Sequence, residues 1–275
     1  MNDSSINLFF CPDCKIELNQ FHCLKCKTEF NIKNGVPILL SRQSDFKSVI
    51  EISQTYDDIY TNRSGVWEDQ GRTPGFIKYF SSLIASYSMG SLLEIGCGEG
   101  LLLSELIADD KTAIDLSYKA LEKSIIKNDK LTCAVALAER LPFKDKAFDI
   151  AVSVGVMEHF IDDEEALKSI YRVIKPGGYY ISLIHVALTR HQELLQKIRE
   201  YIYPKPRPMA LLKWVISKVY RPIFQPIQRR YTEISAKDCL IKQGFLIEKV
   251  ISLKNEPDAP LVGRHVIIYV ARRPE

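Results

Sequence analysis

The chain has 275 residues and a formal net charge of +3, and its composition is 46% hydrophobic, 26% charged and 10% aromatic. These proportions are those of an average globular protein and exclude a disordered, collagen-like or small disulfide-stapled chain. The length is sufficient for one enlarged domain or for one domain with a small appendage.

The N-terminus gives no sign of a targeting segment. It has no basic start followed by an apolar stretch, and no apolar run approaches the roughly 18 residues that a membrane-spanning helix needs. Three of the seven cysteines, Cys97, Cys133 and Cys239, lie far apart and predict free thiols. Free thiols are typical of a reducing compartment, so we expect a cytoplasmic protein.

Four cysteines near the N-terminus form two Cys-x-x-Cys pairs, Cys11 with Cys14 and Cys23 with Cys26. Each pair places two thiolates on one tight turn, and two such turns that face each other surround a tetrahedral ion. Two disulfides or a redox pair are the alternatives. We favour Zn²⁺ because the motif repeats within a short segment that has too few apolar residues for an independent core. Residues 1–42 are therefore predicted to form a zinc ribbon.

Residues 43–90 are predicted to be a linker with N-terminal helices that cover the site of the following domain. The first part is polar and turn-rich but carries three large aromatic residues, Tyr56, Tyr60 and Trp67. A plain linker rarely contains three such side chains, and the simplest alternative is that they only dock it on the next domain. An amphipathic pattern over 74–87 predicts a helix.

From residue 91 the chain alternates between strand-like and helix-like segments. We predict strands at 92–95, 112–116, 132–136, 148–154 and 179–184, with helices at 99–108, 117–127 and 162–173. Near the C-terminus we predict a helix at 235–243 and strands at 245–253 and 266–271. This alternation of apolar strands and helices indicates an α/β fold with a doubly wound, parallel sheet over 91–275.

A glycine-rich loop follows the first of these strands and reads Gly96-Cys97-Gly98-Glu99-Gly100. Glycines there let the backbone approach a ligand closely. The dinucleotide fingerprint requires its third glycine at 101, but Leu101 stands there. Asp115 closes the second strand, where a carboxylate can accept hydrogen bonds from both hydroxyls of a ribose. The pattern favours a nucleoside ligand without a pyrophosphate.

Further segments follow in a fixed order. They are Ala113 to Ser117, Ala138 to Phe143, Phe148 to Ile150, Val156 to His159 and Arg172 to Gly178. Together with the glycine loop, this series resembles the class I S-adenosylmethionine-dependent methyltransferases of type 11. The resemblance implies a seven-stranded Rossmann-like sheet whose last strand is antiparallel. It also implies S-adenosylmethionine as cofactor, bound over the carboxyl ends of strands one, two and four.

The resemblance also implies which positions hold the cofactor. They are Glu94, Gly96, Cys97, Gly98, Asp115, Leu116, Ala138, Glu139 and Val154. Glu94 and the loop backbone would hold the methionine part, and Asp115 the ribose. One departure is Leu137, where the family often has an aspartate that accepts from the adenine amino group. Adenine recognition must then rely on backbone groups and apolar contacts, for example from Leu116.

The N-terminal unit has a resemblance of its own. Its two cysteine pairs, followed by the sequence from Asn34 to Leu40, are similar to small zinc-binding proteins that activate several methyltransferases. This similarity implies a structural or substrate-orienting role and no catalytic one.

Methyl transfer needs a base when the accepting atom must lose a proton. The candidates follow the carboxyl ends of predicted strands: His159, His185 and His191, with His265 at the start of the last strand. Each of them is individually more typical of a packing or surface residue. We place His185 slightly ahead of the others.

The acceptor is expected to depend on a basic insertion at about 187–231. Ten Lys or Arg and only two Glu lie between 190 and 230, and Leu211 to Phe224 predicts an amphipathic basic helix. The plainest interpretation is a lid, and the alternatives are peripheral contact with an anionic membrane or with RNA. We expect a small-molecule or glycan-type acceptor, with a lipid-linked form included. An RNA methyltransferase and a non-catalytic cofactor-binding partner are the competing hypotheses.

Overall fold

The computed structural model describes residues 8–42, 46–62, 74–87, 90–128, 130–186, 226–253 and 266–275. Its first unit carries a short antiparallel pair, β1 (Ile32–Lys33) and β2 (Val36–Pro37). The turn between them is Asn34-Gly35, and both residues have positive φ angles, 48° and 80°. This Asn-Gly turn matches the right-handed twist of paired strands.

Two helices follow this unit, α1 (Phe46–Asn62) and α2 (Pro74–Ala85). The sequence predicts α2 to within two residues. It describes the region of α1 only as polar and turn-rich, although Val49, Ile52, Tyr56 and Tyr60 recur at helical spacing. Most residues around these four are polar, so the composition predicts a turn-rich linker more strongly than the spacing predicts a helix.

A seven-stranded sheet forms the centre of the molecule. Its strands are β3 (Ser91–Ile95), β4 (Asp110–Asp115), β5 (Thr132–Val135), β6 (Phe148–Val154), β7 (Ile174–His185), β8 (Leu246–Ser252) and β9 (Val266–Arg272). The helices between them are α3 (Leu101–Glu105), α4 (Tyr118–Lys127), α5 (Asp163–Val173) and α6 (Glu233–Lys242).

The strand order across this sheet is β5-β4-β3-β6-β7-β9-β8. Strands β3 to β7 pair in parallel, and β9 is antiparallel to both β7 and β8. The predicted doubly wound, Rossmann-like sheet with an antiparallel last strand is thereby confirmed. The chain reverses direction across the sheet between β3 and β6, and such a reversal opens a crevice at the carboxyl ends of the strands.

Two elements differ from their predicted bounds for local reasons. Helix α3 begins at Leu101 and not at residue 99, because Gly100 has a left-handed φ of 72°. Strand β7 begins at Ile174, five residues before the prediction, and runs through Gly177 and Gly178. A Pro-Gly-Gly sequence usually indicates a turn, so the early start of β7 is not visible in the sequence pattern.

The N-terminal unit packs directly on the sheet. Phe9 forms an antiparallel bridge with Phe143, and their ring centroids are 5.8 Å apart. Ile38 forms a parallel bridge with Val135 of β5, and the Leu39 backbone N–H donates to the Val135 carbonyl at 2.8 Å. Most buried residues of this unit share one hydrophobic cluster with residues of the sheet, and Val36 and Leu40 belong to a second cluster that also includes sheet residues.

Among the described residues, no helix is long and apolar enough to cross a membrane. Most of the basic insertion, residues 187–225, lies outside the described residues, and so does the helix predicted from Leu211 to Phe224. The structure describes only the last residues of the insertion, 226–231.

Candidate functional site

A pocket of about 730 Å³, including its open mouth, lies at the carboxyl ends of β3, β4 and β6. Its position is the crevice expected where the strand order reverses. The residues that line it are Ile52, Tyr56, Tyr60, Ile95, Gly96, Ile114, Asp115, Leu116, Ala136, Leu137, Ala138, Glu139, Gly155, Val156, His159, Phe160 and Ile161.

The glycine loop forms the floor of this pocket. Gly96 has a left-handed φ of 66°, and a Cβ at this position would lie 2.6 Å from Val156 Cγ2. Gly98 also has a positive φ, 55°, and its N–H donates to Asp115 Oδ2 at 2.9 Å. The loop therefore needs glycine both for its backbone conformation and for the close approach of the opposite wall.

Asp115 is the acidic group of the pocket floor. It is 8% exposed, and Ser117 N–H donates to its Oδ1 at 2.8 Å. Each carboxylate oxygen therefore accepts a backbone hydrogen bond. The two backbone donors fix the orientation of the carboxylate, as recognition of a pair of neighbouring hydroxyls requires.

Helix α1 forms one side wall with Ile52, Tyr56 and Tyr60. Asp57 fastens the helix in place, since its Oδ1 accepts from the Ser117 hydroxyl at 2.5 Å and from Lys119 N–H at 2.9 Å. Burial, together with the negative charge of Asp115, raises the pKa of Tyr56, so its hydroxyl stays protonated at neutral pH. Tyr56 and Tyr60 are thus site residues that the sequence marks only as unusual aromatics in a linker.

The opposite wall contains Leu137, Ala138 and Glu139. The Glu139 carboxylate accepts from the backbone N–H groups of Ile161, at 2.7 Å, and Asp162, at 3.2 Å. Burial raises the pKa of Glu139. Glu139 therefore holds the 161–162 loop in place, and Leu137 gives an apolar wall where the family often has an aspartate.

The structure brings together five of the nine predicted cofactor positions in the pocket lining: Gly96, Asp115, Leu116, Ala138 and Glu139. The other four, Glu94, Cys97, Gly98 and Val154, are not among the lining residues. Glu94, Cys97 and Val154 are each at most 3% exposed. Their contribution to the site is the support of the loop and strand ends that form the lining.

The candidate histidines occupy different environments. His159 lines the pocket, and its Nδ1 lies 2.5 Å from the carbonyl oxygen of Ile227. His185 ends β7 and contacts Glu158 but is not among the residues that line the pocket. His191 and His265 lie outside the described residues.

The end of the insertion contacts the pocket wall through Arg229. Its backbone N–H donates to the Glu158 carbonyl at 2.7 Å. Its guanidinium donates to the carbonyls of Phe160, at 3.2 Å, and Ile161, at 2.5 Å. Because His159 is also held by Ile227, this short segment after residue 225 holds the wall formed by residues 159–161 and the backbone of Glu158 beside it.

The four N-terminal cysteines form one cluster. All four sulfur atoms lie within 4.8 Å of one another, and Cys11 Sγ and Cys26 Sγ are 3.8 Å apart. A tetrahedral zinc with Zn–S bonds of about 2.3 Å has S···S distances of about 3.8 Å. The cluster geometry therefore fits a single tetrahedral ion.

The two cysteine turns repeat the same backbone hydrogen bonds. Cys14 N–H approaches Cys11 Sγ at 3.4 Å, and Cys26 N–H approaches Cys23 Sγ at 3.5 Å. Burial raises the pKa of the Cys11 thiol, whereas a hydrogen bond with the Thr28 hydroxyl lowers the pKa of Cys26 to about 6. Metal ligation requires thiolates, and these paired donors are suited to holding them.

The pocket fits S-adenosylmethionine on structural grounds. Asp115 lies where it can accept hydrogen bonds from the two ribose hydroxyls. Gly96 keeps the loop close to Val156 without a side-chain collision. Apart from Glu139, apolar and aromatic groups cover most of the rest of the lining, as is usual for a nucleoside pocket. These residues would hold the ribose and adenine parts.

The comparisons agree with this assignment. The family model described as a methyltransferase domain matches residues 93–182. An uncharacterised methyltransferase of Schizosaccharomyces pombe is 32% identical over 108 residues, covering 38% of this chain and 43% of that protein. The ubiquinone/menaquinone biosynthesis C-methyltransferase UbiE of Shewanella frigidimarina is 29% identical over 128 residues, covering 46% and 49%.

A solved structure of a SAM-dependent methyltransferase from Thermotoga maritima has the same fold. It superposes with a TM-score of 0.57 at 21% identity, covering 81% of this chain and 99% of that one. The chain spans about half the length of the two curated relatives that it matches. Residues 93–182 belong to the methyltransferase domain family, and the chain carries a class I S-adenosylmethionine-dependent methyltransferase domain.

Proposed function

We propose that the protein transfers a methyl group from S-adenosylmethionine to a small-molecule or glycan-type acceptor, including a lipid-linked one. The observation that carries the proposal is the pocket at the switch point of the sheet. There a fixed, buried carboxylate, Asp115, lies against a loop that requires glycine at position 96.

The protein's own part in this reaction is alignment and exclusion of water. S-adenosylmethionine, when bound, supplies an electrophilic methyl group. Asp115 and the glycine loop orient the nucleoside end, while Tyr56 and Tyr60 of α1 cover it. The acceptor then has to approach from the side of β6 and β7, where the carboxyl ends of the strands remain next to the pocket.

The lining supports a small acceptor rather than a nucleic acid. None of the described residues that line the pocket is Lys or Arg. Phosphate backbones are bound mainly through such cations. The named relative UbiE acts in ubiquinone and menaquinone biosynthesis, which is also small-molecule chemistry. The basic insertion remains the candidate for an anionic membrane surface or, in the competing hypothesis, RNA.

The direct test is calorimetry with S-adenosylmethionine and its demethylated product. Asp115→Ala should weaken binding at least ten-fold, because a buried hydrogen bond to a charged group is worth about 1.5 to 3 kcal/mol. Asp149→Ala is the matched control. Its carboxylate also accepts a backbone hydrogen bond, from Ser91 N–H at 2.8 Å, but outside the pocket lining, so affinity should not change. Preferential binding of NAD would overturn the proposal.

The four-cysteine cluster forms the second part of the proposal. Cys11, Cys14, Cys23 and Cys26 bind one Zn²⁺ with a structural role, supported by their sulfur distances and their repeated turns. All four positions are taken by sulfur, and a closed tetrahedral set of this kind is typical of structural sites. Cytoplasmic localisation and a peripheral membrane contact through 190–230 are expectations of the same proposal.

A further inference from the structure

Glu158 and His185 face each other across the carboxyl ends of β6 and β7. Glu158 Oε1 lies 2.9 Å from His185 Nδ1 and also accepts from the His185 backbone N–H. The second oxygen, Oε2, is buried and has no hydrogen-bond partner among the described residues. One carboxylate oxygen therefore fixes both the backbone and the ring of the histidine.

The two partners differ sharply in exposure. The Glu158 side chain is 4% exposed, whereas the His185 side chain is 59% exposed. Burial by itself raises the pKa of Glu158, but the hydrogen bonds and positive charge of His185 lower it below its ordinary value. Glu158 is thus ionised at neutral pH, and an ionised carboxylate only accepts hydrogen bonds.

This arrangement decides the state of the imidazole. Because Glu158 accepts from Nδ1, the neutral His185 ring carries its proton on Nδ1 and keeps a lone pair on Nε2. A buried carboxylate on the far side of the ring also stabilises the imidazolium that forms when Nε2 takes up a proton. These are the properties of a general base.

Few other charged groups face the pair. Tyr180 adds a weak electrostatic contact to Glu158, and its buried hydroxyl is bonded to Ser153 at 2.7 Å. Arg229 contacts Glu158 through its backbone N–H, but its guanidinium is held by the carbonyls of Phe160 and Ile161. Among the described residues, the ion pair of the His185 ring is with Glu158, while Arg229 pairs with Asp163.

The pair also lies next to the pocket. Gly155 lines the pocket, and its N–H donates to the Leu183 carbonyl at 2.8 Å, two residues before His185. In the short turn after β6, Glu158 directly precedes His159, which lines the pocket as well. His185 therefore stands beside the β6 wall, on the side from which an acceptor has to approach.

We propose that His185 is the general base of this methyltransferase, that Glu158 is its positioning residue, and that the accepted substrate presents a hydroxyl group. The inference rests on the proposed function and specifies its acceptor. An amine free base needs no proton removal before attack, whereas an alcohol or phenol oxygen does. A dedicated base therefore favours a hydroxyl acceptor over an amine.

His185 Nε2 takes the hydroxyl proton as the acceptor oxygen forms a bond to the methyl carbon. The carbon–sulfur bond breaks, and its electron pair remains on the sulfur. The proton then leaves from the imidazolium to solvent, to which the half-exposed ring has access.

Nitrogen-15 NMR of the imidazole tests the geometry without any acceptor. In the wild type, the neutral His185 ring should carry its proton on Nδ1 in at least ten-fold excess, and Glu158→Gln should reduce that excess. Glu165→Gln, which changes an exposed surface glutamate, is the control and should leave the ring unchanged. A wild-type ring protonated on Nε2 would contradict the proposal.

Radiolabelled methyl transfer to catechol and to 1,2-diaminobenzene tests the chemistry. Transfer to catechol should exceed transfer to the diamine. It should fall at least 100-fold in His185→Gln and about ten-fold in Glu158→Gln, since general bases contribute roughly 10² to 10⁴. Wild-type rates in both variants, or faster methylation of the diamine, would contradict the assignment.

Calorimetry with the demethylated cofactor separates this inference from the proposed function. Both variants should bind it within about two-fold of the wild type, because neither residue is among those that line the cofactor pocket. Loss of binding in His185→Gln would place the ring in the cofactor site and overturn its role as base. A wild type that does not bind the cofactor contradicts the proposed function, while the NMR result still decides the Glu158–His185 geometry.

Discussion

Gly96 shows how a single residue can be required for two separate reasons. Its φ of 66° is in the left-handed region, where a side chain costs roughly 1 to 2 kcal/mol. A Cβ there would also lie 2.6 Å from Val156 Cγ2 and 2.9 Å from its Cγ1. Val156 belongs to the pocket wall, so any side chain at position 96 has to displace that wall.

Gly96→Ala should therefore lose both stability and cofactor affinity. We expect a loss of unfolding free energy of at least about 1 kcal/mol from the backbone alone. Binding of S-adenosylmethionine should weaken at least ten-fold, because Val156 is pushed into the pocket. Chemical denaturation and calorimetry measure the two effects.

Gly35→Ala is the matched control for this substitution. Gly35 has a φ of 80°, but a Cβ added there meets nothing within 4 Å. The control should show the backbone cost and unchanged cofactor binding. Equal binding by Gly96→Ala and the wild type would show that the Gly96–Val156 approach does not shape the cofactor site.

Among the elements, the pocket wall at 159–161 depends on a segment that is distant in sequence. The end of the insertion holds this wall through Arg229 and through the contact of Ile227 with His159. The sequence predicts that the insertion serves the acceptor and not the cofactor. The described contacts show that its last residues also hold residues 159–161, which line the pocket proposed for the cofactor.

Arg229→Ala should weaken cofactor binding about three- to ten-fold, because it removes the guanidinium bonds to the Phe160 and Ile161 carbonyls. Arg272→Ala is a suitable control. The two arginine side chains have similar exposure, 39% and 36%, and Arg272 binds the Gly177 carbonyl and two glutamates away from the pocket.

Calorimetry with the demethylated cofactor compares the two arginine variants directly. If Arg272→Ala reduces affinity as much as Arg229→Ala, the effect is a general loss of stability. Unchanged affinity in Arg229→Ala would show that the wall keeps its shape without the insertion.

At the scale of the whole molecule, the cysteine unit is part of the same core as the sheet. Phe9 packs on Phe143, and Ile38 and Leu39 continue the pairing beside β5. Lys15 adds a hydrogen bond from its ammonium to the Leu141 carbonyl at 3.3 Å. Loss of the metal should therefore destabilise the sheet as well as the cysteine unit.

Protein purified without chelator should contain about one zinc per chain. Removal of this zinc should lower the melting temperature by about 10 °C in a single transition, given roughly 2 to 4 °C for each kcal/mol in a domain of this size. Cys26→Ser should have the same effect, because it removes one ligand. Cys239→Ser, a cysteine outside the cluster, should retain its zinc and melt like the wild type.

Two results would contradict this account of the zinc unit. One is less than half an equivalent of zinc in the purified protein. The other is a separate early transition of the cysteine unit that leaves cofactor binding intact, since that would show an independent domain.

Much of this architecture is readable from sequence because buried strands are apolar runs and the glycine loop has a fixed spacing. The sequence therefore predicts β3 to β6 closely and Asp115 as a pocket residue, and its resemblance to the methyltransferases adds Glu139. Contacts between distant segments are different, because no local pattern encodes them. The pairing of Glu158 with His185 and the bracing of the wall by Arg229 appear only once the strands are placed side by side.

Helix α1 shows the same limit for a local element. Four residues at helical spacing, Val49, Ile52, Tyr56 and Tyr60, mark its inner face within a largely polar segment. Its place beside the pocket depends on Asp57, which binds Ser117 and Lys119 some sixty residues later. The helical spacing of α1 is visible in the sequence, but the contacts of Asp57 with Ser117 and Lys119 are not.

Methyl transfer to a small-molecule or lipid-linked acceptor can be tested with S-adenosylmethionine that carries a radiolabelled methyl group. The protein is incubated with this cofactor and with separated cellular pools of small molecules, extracted lipids and total RNA. The proposed function predicts label in the small-molecule pool or in lipid-linked glycans, with at least a ten-fold loss in Asp115→Ala. Label confined to RNA would favour the competing RNA methyltransferase. An unlabelled set of pools, despite tight cofactor binding, would contradict methyl transfer and indicate a non-catalytic cofactor-binding protein.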